Sequence, residues 1–228
     1  NSCCVKDLLY TKNLLGKKIY NGVVLEDGTE IFADTIVLAE GAAPYLAQKT
    51  GLTQMIKTKD FFLYVKEVLS LSPSIIEERF NLEKNEGAIY LLLGFPGLGR
   101  VSKIGIFTNA DSISLILGGY ISHMITARIN PTAILDKVKS HPLIARLING
   151  GVREEFMAKI IPKGGIKASP KLYTNGLLLA GDTATMVSGR RGIDLAMLSG
   201  MYAAETVVLA RAKGDYSEAA LSNYQHKI

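Results

Sequence analysis

The residues in this chain best suited to ligand chemistry run from Leu177 to Ala196. Leu177-Leu-Leu-Ala-Gly181-Asp182-Thr183-Ala184 reads as a short apolar strand that ends at a glycine, an acid and small residues. An aspartate at the carboxyl end of a strand can accept hydrogen bonds from sugar-type hydroxyls, and Gly181 would let a ligand approach the backbone closely. A helix behind it would offer amide N–H groups and the positive end of its dipole to an anion. An ordinary strand–turn–helix capped by Asp182 fits the same stretch, and on these residues alone the two readings weigh equally. Ser188-Gly-Arg-Arg-Gly-Ile-Asp-Leu-Ala-Met197 tips the balance. Gly192 and Ile193 stand where a helix begins, and Asp194 falls in its first turn, where a carboxylate is favoured. Ala196, Ser199, Gly200, Ala203 and Ala204 let that helix pack closely. Arg190 and Arg191 are either a solvated pair or partners for a phosphate or a carboxylate.

Other chemistries find little support. His123 lies in a helical run, His141 precedes a proline and His226 is near the chain end, so no Ser/His/Asp or Cys/His constellation is readable. The two cysteines are adjacent, Cys3 and Cys4, which suits neither a structural disulfide nor a metal site. They are expected as a buried pair on an N-terminal strand, in a reducing compartment. The formal net charge of +5 comes from scattered Lys and Arg. It suits anionic cofactors, acidic partners or acidic lipid heads and argues against nucleic acid. No apolar run reaches the roughly 18 residues of a membrane span, and no signal peptide is readable. The absence of an initiator Met suggests an internal piece of a longer protein.

The elements that must position these residues follow from periodicity and turn chemistry. Strands are expected at Cys3–Tyr10, Ile19–Leu25 and Glu30–Leu38, with a tight hairpin at Asp27-Gly28. The third ends in Thr35-Ile-Val-Leu-Ala39, apolar without alternation, as in a strand buried on both faces. Pro44–Thr50 reads as a short helix and Phe61–Ser70 as a strand. Pro73–Phe80 reads as a helix capped by Ser72. Ala88–Leu93, Val101–Phe107 and Ser112–Leu117 read as strands, with a turn at Asn109–Asp111. Helical periodicity runs from Tyr120 to Asn149, broken at Pro131 and at His141-Pro142; Tyr120, His123 and Met124 suit the core or a membrane-facing surface, with the core favoured. Val152–Ile161 and Leu177–Ala180 read as strands, Ile193–Lys213 as a long helix ended by Gly214, and Tyr216–Ile228 as a further helix. The order, a βα layer, then an antiparallel sheet with helices, then a return to the first layer, predicts an α/β (α+β) chain of interleaved parts: 1–60, 61–160 and 161–228.

Leu177–Thr206 resembles the C-terminal flavin motif of the glutathione-reductase-like flavoproteins. Within them it is most similar to the electron-transfer-flavoprotein:quinone oxidoreductases of the FixC type. The likeness extends to Val65-Lys-Glu-Val-Leu69, Ile76-Glu-Glu-Arg-Phe-Asn81, Phe107-Thr-Asn109 with Ser112–Leu117, His141-Pro142, Ile161-Pro-Lys-Gly-Gly165, Ser169-Pro-Lys-Leu172 and Arg191-Gly-Ile-Asp-Leu-Ala196. The resemblance implies a partial three-layer FAD-binding domain, formed by 1–60 and 161–228, into which an antiparallel sheet-and-helix domain for substrate or quinone is inserted. It implies FAD as cofactor, with contacts from Gly181, Asp182, Thr183, Ala184, Arg191, Gly192, Ile193 and Asp194. It makes Glu40-Gly41 the equivalent of the family's Asp-Gly turn on the adenosine side, although Glu replaces Asp and Ala42-Ala43-Pro44 follow in place of the family's residues. The family's electrons come from an electron-transfer flavoprotein and go to quinone or a ferredoxin-like protein, in the cytoplasm or peripherally on the inner face of the membrane.

The family opens with a strand and a GxGxxG turn that hold the FAD pyrophosphate. Gly94-Phe-Pro-Gly-Leu-Gly99 is glycine-rich, but no long helix follows it, and it reads as a loop. This chain alone is therefore expected to bind FAD weakly or not at all and to be inactive by itself. Two alternatives stand beside the main reading. One is a geranylgeranyl-reductase-type flavoenzyme. The other is a non-catalytic docking domain with a vestigial flavin site.

Overall fold

A computed structural model describes residues 3–53, 57–93, 103–163, 169–188 and 191–228. The Gly94–Gly99 stretch, Arg190 and part of the Ile161–Gly165 run lie outside the described residues. The chain divides into two compact units, Asn1–Ile56 with Pro162–Ile228, and Lys57–Ile161.

In the first unit, β1 (Val5–Lys12), β2 (Lys18–Leu25) and β3 (Glu30–Phe32) form an antiparallel meander. The hairpin between β2 and β3 closes at Asp27-Gly28, where Asp27 Oδ1 accepts the Thr29 N–H at 2.9 Å. The expected single strand Glu30–Leu38 is two strands. The chain leaves the meander after Phe32, and β4 (Ile36–Leu38) joins a second sheet of order β10-β11-β4. In that sheet β11 (Leu177–Leu179) runs parallel to β4, while β10 (Tyr173–Thr174), too short to show in the sequence, is antiparallel to β11. Ile36 and Leu38 enter the core but Val37 is 42% exposed, so β4 is buried on one face rather than two.

Helices α1 (Tyr45–Thr50), α6 (Ile193–Lys213), α7 (Glu218–Leu221) and α8 (Asn223–Lys227) complete the unit. The expected terminal helix is thus two short ones, and Ser217 caps the first by accepting the Ala220 N–H at 3.2 Å. Gly214 ends α6 in the left-handed region. By length and composition α6 could cross a bilayer, contrary to the reading that nothing reaches that length. The core gathers Leu8, Tyr20, Leu38, Leu46, Leu172, Leu177–Leu179, Ala203, Leu221 and Tyr224. Cys3 and Cys4 precede β1 and are exposed, not the buried pair expected. A side chain ahead of the first strand has no sheet neighbour to cover it.

In the second unit, a five-stranded sheet has the order β6-β7-β8-β5-β9. Its strands are β5 (Phe61–Ser70), β6 (Ile89–Leu92), β7 (Lys103–Thr108), β8 (Ser112–Tyr120) and β9 (Val152–Pro162). Strands β6, β7, β8 and β5 pair antiparallel. Helices α2 (Pro73–Phe80), α4 (Pro131–Ser140) and α5 (Pro142–Ile148) pack on one face through Ile76, Phe80, Leu135, Val138 and Ile144. Each begins at a proline, whose missing N–H costs nothing in a first turn. Asn130 caps α4 with its side chain, whereas the Ser72 hydroxyl faces Ser74 Oγ and makes no cap bond to α2. Tyr120 ends β8, and in α3 (Ile121–Thr126) only Met124 is buried, while His123 is exposed.

Alternation along β5, β8 and β7 sends Val65, Leu69, Ile104, Ile106, Ile113, Leu115 and Leu117 to the helices. Glu67 points the same way and would be a costly buried charge. Lys139 of α4 meets both its carboxylate oxygens, at 2.9 and 3.1 Å. The opposite face carries Phe62, Tyr64, Phe107, Ile116 and Tyr120. Phe62 stacks on Tyr64 and meets Tyr120 edge-on, with ring centroids 4.7 and 5.2 Å apart.

Candidate functional site

The site is built at the carboxyl ends of β4 and β11. Parallel pairing in the register Ile36↔Leu177, Val37↔Leu178 and Leu38↔Leu179, extended by Ala180 N–H donating to Leu38 O at 2.9 Å, releases two turns side by side. One is Glu40-Gly41 and the other Gly181-Asp182. The crevice outside the carboxyl ends of adjacent parallel strands is where open α/β sheets take ligands. The Thr183 hydroxyl ties the turns together by donating to Gly41 O at 3.3 Å.

Each turn is held by its own partners. Glu40 accepts the Leu46 N–H at 2.7 Å on one carboxylate oxygen and the Ala47 N–H at 2.8 Å on the other. It thereby caps α1, whose Pro44 offers no capping side chain. Its oxygens serve the helix, and Glu40 positions the turn instead of presenting a free carboxylate. Gly41 and Gly181 adopt φ of +76° and +64°, the left-handed region that side chains disfavour. A Cβ at Gly181 would meet only the Ala196 Cβ, at 3.8 Å. Backbone conformation, not crowding, is therefore what requires this glycine. The Gly181 N–H donates to Ser199 Oγ at 2.9 Å, and that hydroxyl donates to Ala196 O at 2.8 Å.

Behind the strand, Gly181–Ala184 is a single 3-10 turn, ended by Thr185, and α6 starts at Ile193, where the sequence places the long helix. Thr183 and Ala184 are buried, so they offer a ligand backbone rather than side chains. Asp182 is half-buried, and burial pushes its carboxyl above the ordinary carboxylate range. No hydrogen bond or ion pair engages that side chain among the described residues. Thr185 is a further irregularity: its φ is +56°, unusual for a β-branched residue, and its buried hydroxyl has no partner.

Arg191 and Asp194 face each other, with Arg191 Nε 2.5 Å from Asp194 Oδ2. The guanidinium beside it holds the Asp194 carboxyl below its usual range. Arg191 is thus committed in part to its own helix start, where Gly192 stands at the N-cap and Ile193 is exposed. Of the sequence-predicted residues, the fold brings Glu40, Gly41, Gly181, Asp182 and Thr183 together. Arg191 pairs with Asp194 at the start of α6, whose first turns pack against the Gly181 turn through Ala196 and Ser199. Ser199 was read only as a small packing residue. Its hydroxyl has no local signature, because its partner Gly181 lies 18 residues earlier.

The arrangement suits a polyhydroxylated ligand. Asp182 supplies an acceptor that is unpaired among the described residues, beside the Gly181 backbone. A flavin with its ribityl chain meets those requirements. When bound, it would supply the redox chemistry that no side chain here provides.

No family model matches the chain. It is 37% identical over 206 residues to Protein FixC of Escherichia coli K12, a match covering 89% of this chain and 48% of the relative. It is 34% identical over 200 residues to YdiS of the same organism, whose name reads "Probable electron transfer flavoprotein-quinone oxidoreductase". That match covers 86% of this chain and 47% of YdiS. Among solved structures it resembles a geranylgeranyl bacteriochlorophyll reductase-like protein of Thermoplasma acidophilum. The TM-score is 0.75 at 17% identity, covering 97% of this chain and 52% of that one, a likeness that shows an FAD-dependent oxidoreductase fold. The chain spans about half the length of the curated relatives it matches. By sequence it is similar, over most of its own length, to FixC-type proteins and to a probable electron transfer flavoprotein-quinone oxidoreductase.

Proposed function

We propose that the chain is part of an FAD-dependent oxidoreductase that accepts electrons from an electron-transfer flavoprotein and passes them to quinone. The observation that carries this reading is the paired β4/β11 terminus. Two parallel strands end together at Glu40-Gly41 and Gly181-Asp182, leaving the half-buried Asp182 carboxyl without a partner among the described residues. FAD, when bound, supplies the electron storage. The protein's own residues bind and orient it. Asp182 accepts hydrogen bonds from ribityl hydroxyls, and Ser199 fixes the Gly181 amide and with it the turn. Glu40 holds the neighbouring turn through α1. No general acid or nucleophile is required, in keeping with the lack of a catalytic constellation.

The second unit supports a quinone as the acceptor. The sheet face opposite α2, α4 and α5 carries the partly exposed rings of Tyr64, Phe107 and Tyr120 around a buried Phe62, with Ile89 and Leu91 exposed on β6. Such a face suits an apolar, planar molecule such as a quinone ring. Quinones reside in lipid, so this reading carries a cytoplasmic-side, peripheral membrane location; a ferredoxin-like acceptor would need none. The Thermoplasma likeness keeps a prenyl-reducing flavoenzyme as second reading, since the same face suits an isoprenoid chain.

The test is flavin binding and then electron flow. FAD is titrated into the purified chain, and into the chain joined behind the unmatched half of E. coli FixC, and the flavin absorbance is followed. Flavin retained by the joined protein and weakened by Asp182→Asn is the expected result. No flavin in either protein sinks the proposal. Bound flavin that is reduced by an electron-transfer flavoprotein and reoxidised by a soluble quinone supports the first reading. Reoxidation by a geranylgeranyl substrate alone supports the second.

A further inference from the structure

The two hairpins of the β1-β2-β3 meander end in opposite chemistries. The turn between β2 and β3 carries Glu26, Asp27, Gly28 and Thr29, all exposed, as polar turn residues facing water should be. The tip between β1 and β2, residues 13–17, instead puts two leucines at its apex: Leu14 is fully exposed and Leu15 is 82% exposed. The loop is pinned. Asn13 Oδ1 accepts the Leu15 N–H at 3.0 Å and the Lys17 N–H at 2.9 Å, and the Asn13 N–H donates to Lys17 O at 3.0 Å. Gly16 closes the turn with a φ of +74°. The leucines are thus held outward by the fold. A basic collar lies directly behind them. Lys12 and Lys18 stand opposite each other across the strands, a like-charge pair that weakens a hairpin in water, and Lys17 lies between them and the apex. The Lys18 ammonium sits 4.2 Å from the centre of the Tyr10 ring, which is also exposed. The carboxylates that Lys17 and Lys18 sense, Glu218 and Asp7, are already paired with Lys171 and Lys49.

We propose that the β1–β2 tip is a membrane contact: Leu14 and Leu15 enter the headgroup layer of an anionic phospholipid leaflet, and Lys12, Lys17 and Lys18 lie against the lipid phosphates. Apolar apex, aromatic ring and lysine collar follow one another in the order of a bilayer interface, where long basic side chains bury their stems and keep their charges at the phosphates. An anion between Lys12 and Lys18 relieves the repulsion that the hairpin otherwise carries. A protein partner fits less well. Two leucines on one tip bury far less than the about 1,200 Å² of a stable protein pair, whereas lipid shapes itself around a small wedge. The proposal rests on the peripheral location given above, but its test needs neither flavin nor quinone. Vesicle contact through the tip in a chain that takes no flavin removes the function and leaves this inference standing. Flavin binding with no vesicle contact does the reverse.

The chain contains no tryptophan, so Leu14→Trp supplies a single indole at the apex. Its emission is recorded with vesicles of phosphatidylcholine alone and of equal parts phosphatidylcholine and phosphatidylserine. A blue shift on the mixed vesicles, quenched by brominated acyl chains and lost in high salt, is the expected result. In co-sedimentation, Leu14→Ser with Leu15→Ser should bind the mixed vesicles more than about ten-fold more weakly than wild type, because two leucine side chains no longer leave water. Both variants change exposed positions and should melt with the wild type in circular dichroism. No shift on the mixed vesicles overturns the proposal, and so does an equal shift on phosphatidylcholine alone. Sedimentation with vesicles while the indole stays in water assigns the contact to another surface and also overturns it. A shift without lipid that disappears on dilution overturns it in favour of a second copy of the chain.

Discussion

Two glycines with nearly the same backbone allow conformational strain to be separated from collision. Gly181 and Gly176 have φ of +64° and +71°. An alanine at Gly181 would place its Cβ 3.8 Å from the Ala196 Cβ, an ordinary contact. Its cost is the left-handed backbone alone, about 1–2 kcal/mol. At about 2–4 °C per kcal/mol for a chain of this size, the melting temperature should fall by roughly 2–8 °C. At Gly176 the new Cβ would stand 2.1 Å from Tyr20 O and 3.1 Å from the Tyr20 carbonyl carbon. Backbone there cannot move aside, because the Gly176 N–H donates to Tyr216 O at 2.8 Å and Gly176 O accepts the Ile36 N–H at 2.9 Å. Collision adds to strain, and Gly176→Ala should lose more than about 4 kcal/mol, the range reserved for severe core disruption. Thermal unfolding followed by circular dichroism, with both variants beside wild type, measures the difference. A Gly176→Ala protein as stable as Gly181→Ala would refute the close approach of Tyr20 to the turn before β11. Gly181→Ala should also weaken FAD binding, since the altered turn carries Asp182.

Three further outcomes follow from the site and its supports. The Tyr224 hydroxyl donates to Leu179 O at 2.7 Å, and burial pushes its pKa up to about 12; Tyr224→Phe should cost about 1–2 kcal/mol, seen as a lower urea midpoint with unchanged slope. Replacing Glu40 by Ala frees the Leu46 and Ala47 amides and should cost about 1 kcal/mol, or roughly 2–4 °C in melting temperature. Burial raises the Asp182 carboxyl, so the folded chain holds this proton more tightly than the unfolded one. The stability this contributes is present below the unfolded pKa and is lost as pH rises through the folded one. Asp182→Asn should therefore gain on wild type in melting temperature as pH rises from about 4 towards 7, and a difference that stays flat would remove the burial argument.

Much of the fold is written locally. Pro73, Pro131 and Pro142 each open a helix, Gly214 closes one, and Asp27-Gly28 turns a hairpin, because the forces involved act within a few residues of one another. The alternation of β5 and β8 showed strands for the same reason. The likeness to FixC-type proteins was also readable in the chain, and the relatives bear it out. Local rules misread Glu30–Leu38 and Tyr216–Ile228. Where a strand changes sheets, or a helix breaks to follow a core, depends on what packs against it.

The Gly181-Asp182 turn shows where sequence stops. Its residue types allow a ligand-binding turn and a capped strand–turn–helix equally, and the φ at Gly181 agrees with the demand for glycine there. Only the tertiary structure set it beside Glu40-Gly41, through a Thr183–Gly41 bond spanning 142 residues. Only it gave Glu40 to the cap of α1, Ser199 to the Gly181 amide, and left Asp182 without a partner among the described residues. Sequence fixes which groups a turn can offer. Which of them stay free for a ligand depends on the neighbours that long-range strand pairing brings, and pairing between distant segments leaves no periodic trace in either of them.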